Sequence, residues 1–290
     1  MAGVLGDNRY GKSGIRLAVV SRDGDTHDVT DLDIDVRLEG DFAAAHRDGD
    51  NRAVLPTDTM RGTCYALARD GITGVAAFGR RLAARFLDAA PAARRATVTL
   101  TATPWQRVVV DGRPHPHAFT PAPGGRPVTT VSSQREGPTI VTGGVRDLRL
   151  LKTTGSAFSG FLRDEYTTLP ETRDRILATT VVAAWGFTSL DVDHDRLAAA
   201  VPATCAARFA THDESESVQH TLHAMGTAVL DAHPEITWIR FTLPNEHHVL
   251  ADLSPYGRDN PDVVFVATDR PFGVIEGTLV RDGAAGPATP

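Results

Sequence analysis

Lysine is nearly absent from this sequence: of 30 Lys and Arg residues, only Lys12 and Lys152 carry an amine. Cysteine is as scarce, and Cys64 and Cys205 lie far apart, outside any C-x-x-C or C-x-x-H pattern. That argues against both a zinc site and a disulfide framework, and fits a reducing cytoplasm. No stretch approaches the roughly 18 consecutive apolar residues of a membrane span. The opening MAGVLGDNRYGKSG has no basic run leading into an apolar one, as a secretory signal would. The closing DGAAGPATP carries no Ser-Lys-Leu address and reads as a frayed small-residue tail over 283–290. Positive charge is also lacking. A net charge of −6 with pI near 6.0 argues against nucleic-acid binding, but leaves room for a small anion, which needs only one local positive site.

What is present suits a globular protein. The 290 residues, 41% hydrophobic and 23% charged, are enough for a full core in one large domain or two lobes. Residues 15–20 and 27–38 alternate apolar and polar around the turn-like SRDGDTH, which reads as an opening hairpin. Helical spacing of Met60, Cys64 and Leu67, and then of Val75, Phe78, Leu82 and Phe86, predicts two helices. ATVTLTATPWQRVVVDG reads as one strand, and strand signals follow at 127–132, 139–142 and 146–153. The second half repeats this grammar. ATTVVAAWGF is a strand, 195–209 a helix interrupted by Pro202, and SESVQHTLHAMGTAVLDAHPEI an amphipathic helix with Val218, Leu222, Met225 and Leu230 inward. Strands at 238–243, 248–253, 263–267 and 274–280 close the chain. The pattern predicts an α+β fold with helices on one face of antiparallel sheets.

Several short stretches carry chemistry or its bland alternative. In VLPTDTMRG, Thr57 and Asp58 stand at a helix start, either as caps or as part of an N-terminus turned toward an anion. In RYGKSG, Lys12 is a solvated surface amine or a proton relay, because an amine loses its proton readily on desolvation and a guanidinium does not. FLRDEYTTLPETRDRILATT gathers Arg163, Asp164, Glu165, Arg173, Asp174 and Arg175. Most of this is solvated, paired charge, but one arginine turned inward clamps a planar anion through two parallel hydrogen bonds. Phe158 and Gln219 read alone as a core aromatic and a helix-face amide. The pairs His115/His117 and His247/His248 invite a metal, yet no HExxH accompanies them. LPNEHHVLADLSPYG, at 243–257, sets Asn245, Glu246 and both imidazoles in a row at the entry to a strand. Buried without partners, each such group costs about 1–3 kcal/mol.

Together, PTDT, LKTTGSAFSGFLRDEYTTLPETRDRILATTVVAAW, SVQHTL and LPNEHHVLADLSPYG resemble the bacterial type of the urate oxidase (uricase) family, in order and from YGKSGIRL to DRPFGVIEGTLV. The resemblance implies a tunnelling fold (T-fold) of two tandem halves, 1–140 and 141–282, each an antiparallel sheet with paired helices. It implies a cytoplasmic homotetramer around a β-barrel tunnel, with active sites between protomers and neither nucleic acid nor membrane as partner. The implied reaction converts urate, O2 and water to 5-hydroxyisourate and hydrogen peroxide in purine degradation, without metal or organic cofactor. By the same resemblance, Arg175 grips the substrate edge, Gln219 opposes it with help from the Val218 backbone, Phe158 stacks on the ring, and Leu169 and Ile275 form apolar walls. Thr57 and Asp58 enter from a neighbouring protomer. Lys12, Thr57 and His247 form the catalytic proton relay, and Asn245, with Thr57, holds O2 or water. His248 is structural in this reading. Glu246 departs from the basic residue of many relatives, and strand alternation turns it away from the pocket. Two other readings stay open: a T-fold relative acting hydrolytically or as an aldolase on a pterin or purine, and a non-catalytic purine-binding protein. The intact Lys12, Thr57 and His247 speak against the second.

Overall fold

The computed structural model describes residues 3–287, which form two compact units. The first comprises the chain up to Gly144 together with Ser189–Ala198. Its strands are β1 (Arg9–Asp23), β2 (Thr26–Gly40), β3 (Ala93–Thr103), β4 (Trp105–Val110), β5 (Arg113–Pro121), β6 (Arg126–Gln134) and the start of β7 (Thr139–Lys152). Its helices are α1 (Ala43–Asp48), α2 (Thr57–Ala68) and α3 (Val75–Ala89). The sheet runs β1-β2-β3-β6-β7, antiparallel wherever the register is defined. Period-2 alternation divides its faces. Leu32, Ile34, Val36 and Leu38 of β2 are fully buried with Ala96, Val98 and Leu100 of β3, while Asp33, Asp35 and Arg37 take the other face beside the Thr97–Ser132 and Thr99–Thr130 hydroxyl pairs.

α3 buries Phe78, Leu82 and Phe86, each stabilising by about 1.5–3 kcal/mol over an exposed position. No side chain caps it locally. Asp195, from the segment that rejoins this unit, accepts from the Val75 N–H at 3.3 Å instead. The stretch read as one strand from Ala96 is two: it breaks at Pro104, which has no N–H to give a ladder. Beyond that break β4 and β5 form a separate hairpin, which turns at Asp111 and Gly112, both at positive φ.

The second unit comprises Val145–Thr188 and the chain from Ala199 onward. It holds the rest of β7, then β8 (Leu177–Phe187), α5 (Val218–Ala232), β9 (Ile236–Leu250) and β10 (Phe265–Val280), in the order β7-β8-β9-β10. α4 (His194–Thr211) begins in the first unit and runs into the second. Pro202 does not interrupt it; only the carbonyl four residues earlier loses its donor. β9 is likewise continuous where two strands were expected, and β10 joins the two expected segments across a register shift between Thr268 and Gly273. Leu177, Val181 and Trp185 of β8 share the buried face with Ile239, Phe241 and Leu243 of β9, and α5 lies on β9 and β10. Of the tail read over 283–290, residues 288–290 lie outside the described residues. Among the described residues no helix is long and apolar enough to cross a membrane.

The helices α3 and α5 each meet their sheet at a glycine. A Cβ on Gly79 would lie 2.8 Å from side-chain atoms of Leu100 and Val131, and one on Gly226 2.6 Å from Leu279. Gly226→Val is expected to lower unfolding stability by about 1–3 kcal/mol through overpacking. Urea denaturation measures this, and an unchanged midpoint would contradict the close approach.

Candidate active site

In the first unit the structure sets Lys12 and the Thr57 helix start against each other through their neighbours. Lys12 pairs with the fully buried Val36, and cross-strand partners share a face, so its side chain leaves β1 on the helix-covered side. Tyr10, two residues earlier and on the same face, accepts from the Leu55 N–H at 2.8 Å, which ties β1 to the segment leading into α2. The Tyr10 ring stands edge-on to Phe42 at 4.8 Å, and burial raises its phenol pKa against the lowering effect of the Leu55 bond. Directly after Lys12 the register slips. Arg37 donates to the Lys12 carbonyl at 3.3 Å and to Ser13 Oγ at 2.6 Å, and Asp35 accepts from the Gly14 N–H at 3.1 Å. Gly11 is required here, since a Cβ would overlap the Val36 carbonyl oxygen.

Neither Thr57 nor Asp58 caps α2. Thr57 is its first helical residue, and the cap position is Pro56, which offers no side-chain cap bond. The N–H groups at the start of this helix therefore have no partner inside it. Asp58 adds a carboxylate to the first turn and pairs with Arg61 at 2.7 Å.

The other candidates belong to the second unit, where three loops are laced by backbone bonds. Phe158 and Thr172 exchange N–H···O bonds of 2.8 and 3.0 Å, and Ala157 N–H donates to the Ser215 carbonyl at 2.6 Å. Ser217 caps α5 by accepting from the His220 N–H at 3.1 Å, so Val218 and Gln219 occupy its first turn. The lacing brings Arg175 over the Phe158 ring, 5.7 Å from its centroid. Burial pulls the guanidinium pKa down, and Arg175 Nε is buried with no hydrogen-bond partner. Such an unpaired buried donor is costly, and it suits a ligand that brings its own acceptor.

On β9, Asn245 lies opposite Thr179 of β8 and Gly273 of β10. It is 9% exposed, and Gly273 leaves the neighbouring position on that face without a side chain. His247 shares this face, and Ile275 joins it through its pairing with Leu243. Glu246 takes the opposite face, accepting from Thr180 at 2.5 Å and Arg149 at 3.1 Å. His248 follows Glu246 to that face, its Nδ1 3.2 Å from the Glu246 carbonyl. Leu169 is 53% exposed. In the His115/His117 pair the rings stand edge-on at 4.5 Å and His115 Nδ1 accepts from the His117 N–H at 3.3 Å, and among the described residues no group of three or more His, Cys, Asp and Glu is placed to hold a metal.

Two positioning residues were not visible as such in the sequence. Asp174 accepts from Thr154 Oγ1 at 2.7 Å and from the Gly155 N–H at 2.9 Å, and these bonds hold its carboxyl below the usual range. It thereby clamps the Phe158 loop beside its own neighbour Arg175. Lys152 donates to the carbonyls of Gly155 and His212 at 2.9 and 2.5 Å, so the second lysine is a loop fastener. The only signal was an acid adjoining the arginine and a Thr-Gly turn.

The Asp174 clamp has a pH signature. A carboxyl whose folded pKa is lowered stabilises above its unfolded value, about 3.9, and the contribution is lost as pH falls through the folded value. Protection of the Gly155 amide from hydrogen exchange is expected to persist to near that unfolded value and fade in stronger acid, and Asp174→Ala should lose it at every pH. Equal protection in that variant would remove Asp174 from this role.

Comparison with known proteins accords with this geometry. The uricase family profile matches residues 8–132 and 141–276. The chain is 42% identical over 284 residues to a uricase of Arthrobacter globiformis, spanning 97% of this chain and 91% of that one. To a Danio rerio uricase it is 34% identical over 277 residues, spanning 94% and 93%. The crystal structure of the Arthrobacter globiformis uricase superposes with a TM-score of 0.92 at 40% identity, covering 99% of this chain and 98% of that one. The α+β architecture described above is thus the T-fold of these enzymes, and the chain belongs to the uricase family.

Proposed function

We infer that this protein is an oxidoreductase of purine degradation that oxidises urate with O2 and water to 5-hydroxyisourate and hydrogen peroxide, with no metal or organic cofactor. Beyond family membership, the observation that carries this reading is the buried, unpaired Nε of Arg175 above the Phe158 ring. A planar anion fits it, stacking on Phe158 while its edge accepts from the guanidinium through charge-assisted bonds. Gln219 and the Val218 backbone, at the first turn of α5, take the opposing edge. Ile275 and Leu169 wall the ring plane.

Electrons leave such a substrate for O2 once a further proton is removed and the ring is an electron-rich dianion. Lys12, Thr57 and His247 carry that proton. Threonine is a weak base alone, but between an amine and an imidazole it passes a proton from one to the other. Asn245, on the same face as His247, holds O2 or water above the ring with Thr57. The N–H groups at the start of α2, which no cap side chain takes up, support contacts from Thr57 and Asp58 to the far edge of the substrate.

The assembly is a homotetramer in which Thr57 and Asp58 enter the site from a neighbouring protomer. In that tetramer the tandem halves, 1–140 and 141–282, assemble into a β-barrel tunnel. Leu162, 94% exposed, and Tyr166, 81% exposed, are apolar surface for such contacts to cover. The protein works in the cytoplasm: its two cysteines are free and buried, their thiols pushed up to about 12 by burial.

Chelator-treated protein incubated with urate in air is expected to consume urate with matched peroxide formation. Tight binding of a xanthine analogue without turnover would instead mark a binding protein. The double substitution Thr57→Ala, Lys12→Met should lower kcat by about 10²–10⁴, the range for lost acid–base catalysis, while analogue binding persists. Unchanged turnover would refute the relay.

A further inference from the structure

Where α4 ends and α5 runs past it, the second unit holds a cavity of about 310 Å³ that belongs to none of the groups assigned above. Arg208, from the last turn of α4, and His212, just beyond it, line one side. His220, His223, Thr227 and Asp231 recur along α5 at helical spacing and line the other. Cationic and titratable donors thus outnumber the single acid on the wall.

The hydrogen-bond pattern leaves one of these donors, on His212, unanswered. His212 is 6% exposed, with its ring edge-on to His220 at 4.5 Å. Arg208 Nη2 lies 3.5 Å from His212 Nδ1. A guanidinium only donates, so Nδ1 is the acceptor and the proton of the neutral ring sits on Nε2, which is buried without a partner. His220 Nδ1 accepts from the Glu216 N–H at 3.4 Å, which likewise leaves Nε2–H as its donor. The groups around His212 are Arg208 on α4, His220, His223 and Asp231 on α5, Lys152 on β7, and the adjacent Asp213. Burial first, then His220, Arg208 and Lys152, push its pKa down, against Asp213 alone.

We propose that this cavity binds a small oxyanion of the phosphate class, held by Arg208, His212 and His220, with Asp231 accepting from a protonated oxygen of the ligand. An anion there gives the buried Nε2–H its acceptor and relieves the repulsion among like charges. Its negative charge favours protonation of the wall imidazoles over the long bonds their Nδ1 atoms accept, so it binds more tightly as pH falls through the histidine range.

Calorimetric titration of the assembled protein with inorganic phosphate, at about pH 6 and about pH 8 to bracket histidine titration, tests this. Saturable binding is expected, stronger at the lower pH, unaffected by Arg175→Gln, and weakened about tenfold or more by Arg208→Gln or His220→Gln through loss of charge-assisted bonds. Both of these substitutions lie at solvent-accessible positions, and circular dichroism checks that the fold survives. β-Glycerophosphate in a parallel titration separates the sources: comparable affinity identifies phosphate monoesters, and much weaker affinity identifies free phosphate. No saturable binding of either, binding indifferent to pH, or binding abolished by Arg175→Gln but untouched by Arg208→Gln would overturn the proposal.

Discussion

The second unit holds one guanidinium where its own solvation would not leave it. Arginine stays charged at any physiological pH, so drawing Arg175 out of water over Phe158 with an unpaired Nε opposes folding. The surrounding backbone makes the arrangement stand. Phe158 and Thr172 exchange their hydrogen bonds, Ala157 ties to Ser215, and Asp174 fastens Thr154 and Gly155. These local bonds fix three loops at once, so the cost of an unsatisfied donor is carried by a framework that does not depend on it. Such preorganisation lets binding energy go to the ligand rather than to ordering the loops.

The two units apply one plan. In each, helices cover the apolar face of an antiparallel sheet and approach it at a glycine, Gly79 in one and Gly226 in the other. In each, a strand places its chemistry by alternation. Lys12 follows Tyr10 on the covered face of β1, and His247 follows Asn245 on the covered face of β9. Glu246 shows the same rule from the other side: directly between Asn245 and His247 in sequence, it points the opposite way to Thr180 and Arg149. An acid at that position is therefore kept off the face proposed for oxygen and proton transfer.

Much of this was legible in the sequence. Period-2 and helical patterns located the hairpin of β1 and β2, the helices α2, α3 and α5, and the strand β8. The motif order around PTDT, TRDRIL, SVQHT and LPNEHH pointed to the family and its chemistry. Legibility failed where proline was weighed by rule. Pro104 divides a stretch that alternates as one strand, while Pro202 sits inside α4 without ending it. Both outcomes depend on which neighbours take up the freed backbone groups, and a one-dimensional pattern does not contain that. Asp58 and Thr57 illustrate the same limit: both are good capping residues, yet Pro56 holds the cap position.

The sequence by itself determined which residues face which side of each strand and helix, because side-chain direction follows the local backbone period. That suffices for the apolar stripes, for setting Glu246 apart from Asn245 and His247, and for the family. Only the tertiary structure decided which loops meet: that Asp174 clamps the Phe158 loop, that Lys152 fastens two carbonyls, and that Arg208 gathers with His212 and His220 around one cavity. Those partners lie up to dozens of residues apart, and packing of the elements between them, rather than any local period, brings them within hydrogen-bonding range.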